Sequence, residues 1–89
     1  MSTLTAVILA APATAGLRWA EFYYLHCPST RFDSEWVDRF EAWAHPQFVR
    51  IGRAAGEPDE RIYQIEAIFG AAAVHRLRQL ATCPEPGEA

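Results

Sequence analysis

The stretch PDERIYQIEAIFGAAAVHRLRQLA, residues 58–81, decides the fold. At 100° per residue, Ile62, Ile65, Phe69, Ala72, Ala73, Leu77 and Leu80 fall on one side of a helix, the pattern of an element that buries one face. Pro58 suits the first helical position, where a missing N–H costs nothing because that group has no intrahelical partner. Asp59 and Glu60 place negative charge at the positive end of the helix dipole, and Arg76 and Arg78 place positive charge near the other end. His75 falls on the outer, solvated side. Cys83-Pro84 ends the element, and residues 84–89 read as a loose tail.

Such a helix needs apolar partners, and the residues before it supply them. A second helix is predicted from Ser34 to Ala44, with Asp33 as N-cap and Phe32 packing on Val37 as a hydrophobic staple. Trp36, Val37, Phe40, Trp43 and Ala44 share one face; Glu35, Asp38 and Glu41 share another, with Arg39 between them. Pro46 disfavours a helical His45, so this helix is expected to stop near Ala44. A short third helix is then expected from Pro46 to Ala55, with Gly56 as a left-handed cap; a strand over Phe48 to Ile51 is the alternative.

The first 27 residues admit two readings. Leu17 to Cys27 as a helix puts Leu17, Ala20, Tyr23, Tyr24 and Cys27 broadly on one side, with Arg18 and Glu21 opposite. Thr3 to Ala10 and Leu17 to His26 are also rich enough in β-favouring residues to form a hairpin around Pro12 and Gly16. The alanines and Glu21 favour helices broken at Pro12. The predicted fold is therefore all-α, a small bundle of three to four helices in one domain over residues 1–83. The alternative is an α+β fold with an N-terminal β-hairpin packed on two or three helices.

Composition narrows the function classes. The chain has 89 residues, enough for one core, and 51% of them are apolar, including three Trp, three Tyr and five Phe. A domain this small has too much surface for its volume to hide all of that. All eight cationic residues are Arg, the mark of a GC-rich coding bias, and the net charge of −3 leaves no basic footprint for nucleic acid. No apolar run approaches the roughly 20 residues needed to span a bilayer, so no membrane role is expected. Leu4 to Ala11 followed by Ala13-Thr14-Ala15 has the outline of an export signal. No Lys or Arg precedes it, so a cytoplasmic location is expected. There Cys27 and Cys83, each followed by Pro, are expected to stay as thiols; paired, they would close a loop worth about 3–4 kcal/mol.

Candidate chemistry is sparse. His26 and Cys27 are sequential neighbours, which diverge by about 100° on a helix and do not make an aligned dyad. His26, Cys27, His75 and Cys83 include zinc-binding side chains but lack the local chelate spacing that makes such sites specific, so no metal is expected. Glu35, Asp38 and Glu41 are carboxylates at helical spacing, suited to a solvated face or to arginines of a partner. Gly52 and Gly56 are isolated, so no phosphate loop is present and no cofactor is expected. Arg50, Arg53 and Arg61 are offset by Glu57, Asp59 and Glu60. His45-Pro46-Gln47-Phe48 resembles selected streptavidin-binding peptides, but Pro46 as a joint between two helices is the better account of it.

The aromatic cluster Trp19, Phe22, Tyr23 and Tyr24 carries the functional expectation. On a helix these four span more than half the circumference, so one small core cannot cover them all. Trp and Tyr are frequent interface anchors. The expected function is a small non-enzymatic protein-interaction module binding another protein, or a second copy of itself as a homodimer, through Trp19, Phe22, Tyr23, Tyr24, Glu35, Asp38 and Glu41. In size and composition the chain is similar to phage and mobile-element accessory proteins, including inhibitors. The rival expectation is a small enzyme or ligand-binding domain centred on His26 and Cys27 or on the Glu35–Asp38–Glu41 row.

Overall fold

A computed structural model describes residues 3–27 and 31–82, and places four helices among them: α1 (Thr3–Ala10), α2 (Pro12–His26), α3 (Ser34–Ala54) and α4 (Asp59–Thr82). No strand occurs among the described residues, so the fold is a small all-α bundle and the N-terminal hairpin is not formed. Cys83 and the tail at 84–89 lie outside the described residues, as does any pairing of Cys27 with Cys83.

α4 is the element on which the others pack. Ile62, Ile65, Phe69, Ala73 and Leu77 of the expected stripe are buried, and Ala72 and Leu80 are half-buried at its edges. α2 meets α4 closely: Ala15, Gly16 and Ala20 are buried, and Gly16 lies against Phe69 and Ala72 of α4. A Cβ on Gly16 would lie 2.5 Å from the Phe69 carbonyl oxygen, so only glycine permits this approach of the two backbones. That burial decides between helix and hairpin. Adjacent Ala15 and Gly16 are both buried, as one side of a helix allows, whereas a strand sends neighbouring side chains to opposite faces. The predicted break at Pro12 is present, with Pro12 in the first turn of α2. α1 has no fully buried residue and leans on the rest through Ile8 and Leu9.

Gly16 at Phe69 and Glu21 bonded to Arg76 show that α2 runs parallel to α4. Phe48 against Phe69, and Gly52 against Ile62, show that α3 runs antiparallel to it. At its N-terminus, Asp33 accepts a hydrogen bond from the Trp36 N–H at 2.9 Å, the expected cap. Phe32 is buried edge-on against Trp36, 5.0 Å between centroids, with Val37 half-buried beside the same core. The Arg78 Nε donates to the Phe32 carbonyl at 3.0 Å and ties this entry to α4.

The expected break at His45-Pro46 is not there: α3 runs unbroken from Ser34 to Ala54 with Pro46 inside it. The reason is tertiary. Trp36, Phe40, Ala44, Phe48 and Gly52 form one buried row at a spacing of four, so both halves of the helix are pinned to α4. Pro46 and Ala42 are both exposed, so the Ala42 carbonyl that loses its intrahelical donor is on the solvent side. The strand alternative over Phe48 to Ile51 falls with the same observation. At the far end Gly56 adopts φ +77°, as expected. The Glu57 N–H donates to the Gly52 carbonyl (2.9 Å) and the Gly56 N–H to the Arg53 carbonyl (3.0 Å), closing a Schellman motif.

Candidate functional site

The contrast between the two faces of α2 creates the site. Its small side lies close on α4, while its other side carries Trp19 and Tyr23 towards α3. There the two helices meet through rings rather than backbones. Trp19 is the centre. It stacks on Tyr23 (5.1 Å) and on Trp43 (6.2 Å), and leans on Phe40 (5.1 Å) and Phe69 (6.0 Å). Trp36 stacks on Phe40 at 5.2 Å and donates its indole N–H to the Tyr23 hydroxyl at 3.4 Å. Rings this bulky hold α2 and α3 apart and leave an open groove of about 570 Å³, lined by Trp19, Tyr23, Trp36, Arg39, Phe40 and Trp43.

The four aromatics singled out from the sequence separate here. Phe22 is 65% exposed one turn from Trp19, outside the groove lining, with its ring against His26 at 4.5 Å. Trp19, Tyr23 and Tyr24 are half-buried and packed on the core. Trp43, expected on the buried face of α3, is 54% exposed. The buried row advances by four, so it passes through Ala44 and leaves Trp43 about 100° to one side. The spacing of Trp36, Phe40, Ala44 and Phe48 is the signal that separates Trp43 from the core, and reading a generic apolar face misses it.

The acidic row is exposed but does not act as one cluster. Glu35 pairs with Arg39 at 3.5 Å on the aromatic side of α3, Asp38 faces solvent, and Glu41 lines a different groove. That second groove, about 760 Å³ between α3 and α4, is the larger of the two. Its floor includes Ala67, Gly70 and Ala71, and His45 and Glu66 in its wall are bonded to each other, His45 Nδ1 lying 2.8 and 3.0 Å from the carboxylate oxygens. The aromatic groove is the stronger candidate despite its smaller volume, because large apolar rings stand open beside it.

The remaining chemical candidates are dispersed. His26 lies on Phe22, and Cys27 is half-buried at the C-cap of α2, its N–H donating to the Tyr23 carbonyl at 2.9 Å. His75 is exposed on α4. Among the described residues no three or more His, Cys, Asp or Glu side chains are grouped to hold a metal ion. Arg50 donates to Gln47 at 2.6 Å and Arg53 pairs with Asp59 at 3.6 Å. His45-Pro46-Gln47-Phe48 is helical, with Phe48 in the core. No helix among the described residues is long and apolar enough to cross a membrane.

Fold and surface together define a class: a small helical bundle with an aromatic groove between its antiparallel α2 and α3. Compared with protein-family models, curated proteins and solved structures, the chain matches none.

Proposed function

We propose that this chain is a small protein-interaction module that engages its partner through the α2–α3 aromatic groove. The observation that carries the reading is a groove lined by five aromatic residues, with Trp43 more than half exposed in its wall and Phe22 exposed one turn from Trp19 on the same helix. Leaving rings in water forgoes about 25 cal/mol per Å² of apolar burial, a considerable cost for a thinly stabilised domain, and an interface recovers it. The module is non-enzymatic and acts by occupying a surface, as an adaptor, assembly factor or inhibitor does, and a phage or mobile-element accessory protein is one setting for it. No observation favours the enzyme reading. His26 is engaged with Phe22, and the carboxylates of α3 are divided between its two sides.

The test compares wild type with a Phe22→Ser/Trp43→Ser double variant. Both residues are more than half exposed, so the variant is expected to keep the helical circular dichroism of the parent, with melting lowered only by the lost Trp43–Trp19 stack. Affinity capture from the native host, with sedimentation for self-association, is expected to recover a binding species with wild type. Loss of an interface anchor weakens such binding at least ~30-fold. A double variant that binds the same species equally well would remove the groove from the function.

A further inference from the structure

We infer that the occupant of the aromatic groove is a second copy of this chain, docked about a two-fold axis with α3 antiparallel to its counterpart. The inference rests on the interaction reading above and names its partner. Its first support is charge. The charged residue lining the groove is Arg39, and Glu35, one turn earlier on α3, pairs with it at 3.5 Å. An axis crossing α3 between them sets Glu35 of each copy opposite Arg39 of the other, since a two-fold contact exchanges residue i with residue j. This edge of the helix is therefore complementary to itself. The carboxylates that would repel their own copies are turned away: Glu41 lines the α3–α4 groove, and Asp38 lies between that side and solvent.

The second support is area. Phe22 and Trp43 are 65% and 54% exposed, and an aromatic side chain carries about 150–250 Å². With half-buried Trp19 and Tyr23 between them, the face offers on the order of several hundred Å² of apolar surface per copy. A standard interface takes about 800 Å² from each partner, so the polar rim containing the Glu35–Arg39 edge has to supply roughly half of it.

Sedimentation equilibrium on the full chain tests this, with thermal melts to verify that each variant is folded. Wild type is expected to dimerise at about 10–100 μM. Glu35→Arg and Arg39→Glu each set like charges across the axis and are expected to weaken the dimer at least ~10-fold. Mixed in equal amounts, the two variants restore both pairs and are expected to form a heterodimer tighter than either variant alone. Trp43→Ser is expected to weaken the dimer while the variant stays folded, its melting temperature lowered only modestly by the lost stack on Trp19. A wild type that stays monomeric across this range overturns the inference, as does a dimer indifferent to both charge reversals or a mixture no tighter than its components. A monomeric wild type that captures a foreign protein, lost in the Phe22→Ser/Trp43→Ser variant, would leave the groove as an interface and remove the second copy from it.

Discussion

Gly16 and Gly70 both lie in helix interiors, where glycine is a poor choice, yet only one of them is required. Around Gly16 a methyl group would meet the Phe69 backbone carbonyl, which cannot rotate aside; around Gly70 the nearest atom to an added Cβ is Phe40 Cε2 at 3.7 Å, an ordinary contact. Gly16→Ala is therefore expected to destabilise by about 1–3 kcal/mol through overpacking. Gly70→Ala is expected to stabilise by about 0.5–1 kcal/mol, because it removes backbone freedom from the unfolded chain. Urea unfolding of both variants checks the contrast, and equal shifts of the same sign would contradict the close approach of α2 and α4. Phe69 stands where these contacts converge, under Trp19 and edge-on to Phe48 at 5.0 Å. Phe69→Ala is expected to cost about 3–5 kcal/mol, so a variant melting within a degree or two of wild type would contradict its place in the core.

Among the elements, α3 is the one in which local preference and tertiary packing conflict. Its proline removes one backbone hydrogen bond, and the buried row from Trp36 to Gly52 holds the helix together across the gap. Pro46→Ala restores the bond to Ala42 while giving back some unfolded-chain entropy, so a net gain of about 1–2 kcal/mol is expected in thermal or urea unfolding. A loss of stability would mean that the proline itself packs usefully. This conflict also marks how far the chain could be read from its residues. α4 was legible because its caps, charges and stripe agree, and Asp33 and Gly56 announced their caps through side-chain and backbone chemistry that acts within a few residues. The continuity of α3 was not legible, since it depends on contacts to α4. The helical state of residues 3–26 was favoured but not decided, because a row of small residues has meaning only once its partner is known. For the site, the crowding of Trp19, Phe22, Tyr23 and Tyr24 did point to incomplete coverage. Which rings remain open, and that Trp43 joins them, followed only from the inclination of the buried row.

The described residues extend over 50 × 26 × 18 Å, and their helices share one core. A bundle with one shared core has no second layer to cover the rings at its edge. The same architecture joins two helix pairs of very different sequence separation. α3 and α4 are linked by a tight turn at Gly56, whereas the α2–α4 contact joins residues 55 apart, as between Glu21 and Arg76. Closing the longer loop costs more chain entropy before any contact rewards it. Loop entropy alone thus predicts the α3–α4 hairpin as the folding nucleus, with α2 docking on it after the barrier. In stopped-flow chevrons, Gly56→Ala, which strains the turn, is expected to slow folding with a φ-value above about 0.5. Gly16→Ala is expected to accelerate unfolding instead, with a φ-value below about 0.3. The opposite ordering would place α2 in the nucleus. If α2 docks last, it is also the helix that leaves first. The helix carrying Trp19 and Phe22 would then open and close on α4 more often than the hairpin unfolds, and amide hydrogen exchange would show its protection to be the lower of the two.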